Sequence, residues 1–184
     1  MKTIDIFKNI IFELKNWYIQ EKNIQLEEFN EINDFTILKI LKLHFFVVAI
    51  NSETKDGLLN ENQFFAMPYG PVETNVYEFY KLNNGNYDDL FTISNENTKF
   101  GIGAVLPEID EVLKEEIRNA ISRLKELEPN LILAGAGSLV ELTHTWNSWK
   151  KYYNLARQKG GFSELMPSQE IKKDNKIVNL NFIS

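Results

Sequence analysis

Residues 35–50 read FTILKILKLHFFVVAI, and this stretch decides the fold. Apolar side chains occupy nearly every position, broken only by Thr36, Lys39, Lys42 and His44. A helix that is apolar on most faces belongs in the middle of a packed core rather than at its edge. The pattern predicts a central helix from roughly Phe35 to Asn51, with Asp34 at the N-cap and His44 in apolar surroundings. The apolar run is too short and carries too many charges to cross a bilayer.

Working outward, Phe7, Ile10, Ile11, Leu14 and Tyr18 recur at helical spacing and predict a first helix over residues 4–18. Residues 20–34 read as a polar connection, and 52–63 as a loop with a turn at Asp56-Gly57. QFFAM (63–67) is short and aromatic, a strand ended by Pro68. Pro71 suits the first turn of a helix, where a missing N–H costs nothing. Val72, Val76, Phe79 and Tyr80, with Tyr77 beside them, would give that helix its stripe, and Gly85 would end it.

Residues 91–103 predict a β-hairpin around a polar tip. Pro107 and Asp110 open a long amphipathic helix marked by Ile109, Val112, Leu113, Ile117, Ala120, Ile121 and Leu124. Ser138 and Asn147 are candidate caps of two further helices, the second ended by Gly160-Gly161. A last short helix near 166–175 and a loose tail over 174–184 complete the chain. With no repeat or linker, the expectation is one compact domain, residues 1–184, mainly α with a small antiparallel sheet or hairpin.

The 184 residues hold 43% hydrophobic and 25% charged side chains, the balance of a soluble globular domain. Cysteine is absent, which removes disulfides, thiolate metal sites and a Cys nucleophile. Asp5, Lys8, Glu13 and Lys15 interrupt any signal-like apolar segment, so a cytoplasmic, membrane-free protein is expected. The net charge of −6 disfavours a nucleic-acid partner. The only dense basic run, Trp149 to Lys159, reads first as a solvated helix face.

Glu141 and His144 form a Glu-x-x-His, a pair that shares a helix face and ligates iron in bundles that contain two such pairs. The other histidine, His44, has no Glu three residues before it, so no metal is expected. Gly101/Gly103 and Gly135/Gly137 lack the rest of a nucleotide-binding loop, which argues against a cofactor. Ser138 has no visible base, and His144 alone is the residue an enzyme could use. No enzymatic activity is therefore expected. Phe64, Phe65, Tyr69, Tyr77, Phe79 and Tyr80 read mostly as core. Trp146, Trp149, Tyr152 and Tyr153 beside Lys150 and Lys151 form an aromatic and basic cluster of the kind that stacks bases or anchors interfaces.

Three segments together resemble the Panacea domains, the SocA-like antitoxins. Leu38, Lys39, Ile40, Lys42, Leu43, Phe45 and Phe46 match their Leu/Lys-rich helix in register. Gly70, Pro71, Val72, Val76 and Tyr77 match their Gly-Pro-Val turn, within FFAMPYGPVETNVY, which also holds Tyr69. Leu139, Leu142, Thr143, His144 and Trp149 match their closing segment. The resemblance spans about residues 4–173 and departs from the family in carrying Met67 where Trp is usual.

It implies a bacterial, often prophage-encoded antitoxin that neutralises a cognate toxin by direct contact. It also admits an adaptor that delivers the toxin to an ATP-dependent protease. In that setting the Gly70-Pro71 turn would fix the 71–80 helix against the central helix, with His144 and Trp149 closing the same core. The partner surface would then be the 91–103 hairpin or Lys150, Lys151, Tyr152 and Tyr153.

Overall fold

The computed structural model describes residues 2–183, so both ends of the expected 1–184 domain lie outside it. The chain begins with α1 (Lys2–Lys22), longer at both ends than the apolar spacing alone predicts. The segment expected to be a polar connection instead folds as α2 (Leu26–Ile32). Phe29 is its one buried residue and meets Tyr18, Phe35 and Phe100 edge-on.

The central helix α3 (Ile37–Ala49) has every residue from Lys39 to Ala49 buried. Its N-cap is Thr36, whose hydroxyl accepts from the Lys39 N–H. Asp34 does not cap it. Its carboxylate accepts from Lys39 Nζ at 2.6 Å, pairing an ammonium that would otherwise be buried alone.

The next segment, expected as a loop, contains the short α4 (Gly57–Asn60). Two antiparallel strands follow, β1 (Phe64–Met67) and β2 (Gly70–Glu73). Then come α5 (Thr74–Leu82), β3 (Asn86–Tyr87), β4 (Phe91–Ile93) and β5 (Thr98–Phe100). The long amphipathic helix is α6 (Glu111–Leu127), capped by Asp110 as expected. A 3-10 turn at Leu131–Leu133 leads to α7 (Ala136–His144) and α8 (Asn147–Gln158), followed by β6 (Glu164–Leu165), α9 (Ser168–Lys173) and a second 3-10 turn at Leu180–Phe182.

The fold is thus mainly α with two small three-stranded sheets, ordered β2-β1-β6 and β3-β4-β5. The predicted 91–103 hairpin is present as β4 and β5, though its second arm ends at Phe100. The outer edge of β5 is covered by side chains of α2. Asn33 and Asn30 each accept from and donate to the backbone, at Thr98 and Phe100 respectively. Two amides thereby do what a neighbouring strand would do.

One apolar core runs through these elements, with α3 in contact with α1, α6, α7 and β2. The predicted stripe of α6 is buried at Leu113, Ile117, Ala120, Ile121 and Leu124, but Val112 is 62% exposed. Glu116 is buried instead, because its carboxylate accepts from the Leu58 N–H at the start of α4.

Neither Ser138 nor Asn147 is a cap. Gly135 and Trp146 take those positions, and the Asp174 carboxylate accepts from the N–H groups of Asn147 and Ser148. The tail expected to be loose is packed as far as Leu180, beyond which Phe182 is exposed. Trp146 Nε1 donates to the Ile177 carbonyl at 2.7 Å, Val178 is buried, and Leu180 N–H donates to Glu128. Among the described residues, no helix is long and apolar enough to cross a membrane.

Candidate functional site

The site is built on the β1–β2 hairpin. Met67 pairs with Gly70, so Pro68 and Tyr69 form a two-residue turn. Pro71 therefore lies in a strand, not at the first turn of a helix. It is tolerated there because β2 is an edge strand and gives up no ladder bond that a partner strand needs. The helix begins three residues later, where the Glu73 carboxylate accepts from the Val76 N–H at 2.7 Å. Glu73 is wholly buried, and burial raises its pKa against the pull of those N–H donors.

Side chains from three helices converge on the carbonyls of this hairpin. From α3, Lys42 Nζ donates to the Pro71 carbonyl at 2.6 Å. From α8, Trp149 Nε1 donates to the Met67 carbonyl at 3.0 Å. From α7, the His144 ring lies close enough to the Pro68 carbonyl for that oxygen to favour its charged form, while its Nε2 is buried without a hydrogen-bond partner. Gly70, at φ +94°, closes the turn where a Cβ would overlap the Thr143 hydroxyl and press on Lys42. That hydroxyl is itself turned back onto the Val140 carbonyl at 2.7 Å.

Electrostatics at the clamp are set by burial. Lys42 has no exposed surface, and desolvation pushes its pKa from 10.5 down to about 7. His144 is also shifted down, first by burial and then by Lys42; the Pro68 carbonyl and Glu141 oppose this. The His144 ring stacks on Trp149 at 3.8 Å between centroids, and Trp149 stacks on Tyr153 at 5.0 Å.

Of the residues singled out in the sequence, Lys42, Gly70, Pro71, Thr143, His144 and Trp149 meet at this one place. Val72 is buried in β2. Tyr77 lies against Tyr80 and under the Lys81 ammonium on its own helix. Tyr69 does not lock the turn from within, since it points outward and is 67% exposed.

The proposed surface at 150–153 is divided. Tyr153 joins the stack, and Lys151 pairs with Glu170 at 2.7 Å while lying over Tyr152. The basic run is further offset by Lys159–Glu164, also at 2.7 Å.

His44 sits away from the clamp between the rings of Phe7 and Phe64. Its surroundings are less apolar than expected, because Asn62 lies near enough to favour the charged ring slightly. No hydrogen bond forms to either ring nitrogen, and desolvation wins, taking the pKa to about 3. Among the described residues, no three His, Asp or Glu side chains are grouped to hold a metal ion.

Sequence reasoning missed the hairpin carbonyls as the meeting point, because the backbone partner of a side chain leaves no trace in spacing. Compared with known proteins, the chain matches no family model, no curated protein and no solved structure.

Proposed function

We propose that the chain is an antitoxin that binds a toxin protein directly and masks it, within the bacterial cytoplasm. The observation carrying this reading is the convergence at one hairpin. Residues from three separated segments that resemble Panacea domains (Lys42 from the first, Gly70 and Pro71 from the second, Thr143, His144 and Trp149 from the third) meet around the same two-residue turn.

The converging groups hold backbone rather than surround an open cavity, which suits a binding scaffold. The acidic balance of the chain suits a basic partner, because opposite charge speeds encounter and fixes orientation.

The test is growth rescue. The small open reading frame adjacent to this gene is induced with and without the chain. Arrest by the neighbour, rescue by this protein and co-purification of the two are expected. Rescue accompanied by disappearance of the neighbour's product would assign the protease-adaptor mode instead. A harmless neighbour, or arrest without rescue, would sink the proposal.

A further inference from the structure

We propose that Tyr69, held outward at the tip of the β1–β2 hairpin, is the anchor of the chain's partner interface. It would enter an apolar pocket set in a positively charged surface of a partner protein. This rests on the protein-binding reading above and names the contact that reading lacks.

The first support is the contrast between the residue and its backbone. Tyr69 is 67% exposed, yet the carbonyls of Met67 and Pro71 on either side of it each accept from a side chain of a different helix, and the His144 ring of a third helix lies beside the Pro68 carbonyl. Two of those helices, α3 and α7, pack against each other and against β2, so the turn stands on the core rather than swinging free.

The second support is what such an arrangement does for binding. Association costs the freedom of whatever becomes ordered, so a tip already fixed by its scaffold loses little on docking. A tyrosine adds a large, rigid ring with few torsions and a hydroxyl that can bond inside a pocket. Aromatic anchors of this kind carry a large share of interface energy.

Other apolar side chains are exposed but are placed differently. Ile102 and Val105 ride on the glycine-flanked loop after β5, and Phe162, though exposed, carries the Arg157 guanidinium over one face at 4.6 Å.

The third support is charge. On α8 beside the clamp the exposed Lys151 is neutralised by Glu170 while Lys150 is an opposing charge; the chain nonetheless carries −6 overall, and Glu141, close enough to act on His144, adds an exposed carboxylate there. A basic rim around the receiving pocket complements both.

The experiment compares the unaltered chain with Tyr69→Ala and Tyr69→Phe. Growth rescue and the Kd for the product of the adjacent reading frame are measured, with melting temperature as the control for folding. Tyr69→Ala is expected to keep its melting temperature, lose rescue and weaken binding at least tenfold. Tyr69→Phe is expected to stay within a few fold. Raising salt is expected to slow association of the unaltered chain.

Rescue and binding by Tyr69→Ala within twofold of the unaltered chain would overturn the anchor while leaving the antitoxin reading in place. Failure of the unaltered chain to rescue would overturn both. Salt-independent association would overturn the basic rim.

Discussion

Lys42 Nζ lies 2.6 Å from the Pro71 carbonyl oxygen, with no surface exposed and no carboxylate paired to it among the described residues. A single neutral acceptor repays only part of what an ammonium loses on leaving water. Its fall from 10.5 to about 7 corresponds to a destabilisation of at most about 5 kcal/mol at neutral pH. The lysine therefore weakens the fold at the place where it clamps the hairpin.

Lys42→Met removes that penalty but orphans the Pro71 carbonyl, a loss of about 1–3 kcal/mol. Near pH 7 the variant is expected to be more stable by about 2 kcal/mol. The sign reverses in alkali. The unfolded lysine holds its proton up to 10.5 and the folded one only to about 7. The native protein thus gains stability as pH rises between those values, and the methionine variant does not. Thermal unfolding from pH 6 to 11 should show the two curves crossing; a constant gap would refute the buried, uncompensated ammonium.

Gly70 and Thr143 are coupled sterically. Gly70→Ala combines a left-handed backbone with overlap of the Thr143 hydroxyl, and should lower stability by about 2–4 kcal/mol. Thr143→Ala alone forfeits only a bond to the Val140 carbonyl within its own helix and should cost about 1 kcal/mol. Combining them clears the overlap, so the double variant should be at least about 0.5 kcal/mol better than additivity. Strict additivity in denaturant melts would show that backbone conformation alone requires the glycine.

The C-terminal segment is structural, because Asp174 caps α8 and Trp146 Nε1 bonds to Ile177. Asp174→Ala should cost about 1–2 kcal/mol, the usual effect of removing an N-cap carboxylate. Truncation after Lys173 also strips Val178 and the Leu180–Glu128 bond from the core, so it should cost more. Equal melting temperatures for the truncated and full chains would refute the docking.

The central helix was legible because residues 37–49 are apolar on most sides, and such a run has one stable place to go. α2 was not, because Phe29 is its only buried residue and charges surround it. Pro71 misled because two preferences compete for it, a helix's first turn and an edge strand, and the pairing of Met67 with Gly70 decides for the strand.

The capping carboxylates escaped for a further reason. Glu116 serves Leu58, Glu128 serves Leu180 and Asp174 serves Ser148, each across tens of residues. Local cap rules do not see such partners. The site residues could be collected from motif resemblance, but not the hairpin carbonyls that bring them together.

His44 predicts the acid behaviour of the fold. In the unfolded chain it takes a proton near pH 6.5, whereas in the core burial holds it neutral down to about 3. The unfolded state therefore binds the extra proton throughout that window, and stability falls as pH drops from 6.5 toward 3. The slope approaches about 1.4 kcal/mol per pH unit, or about 3 kcal/mol lost by pH 4. His144 shifts in the same direction but is only partly buried, so it adds less. His44→Leu keeps the contacts with Phe7 and Phe64 and removes the titrating ring. Its stability should decline far less between pH 6.5 and 4.5, above the range where most carboxylates protonate. Parallel declines for the two proteins in urea melts would show that the imidazole is charged, or solvated, inside the native core.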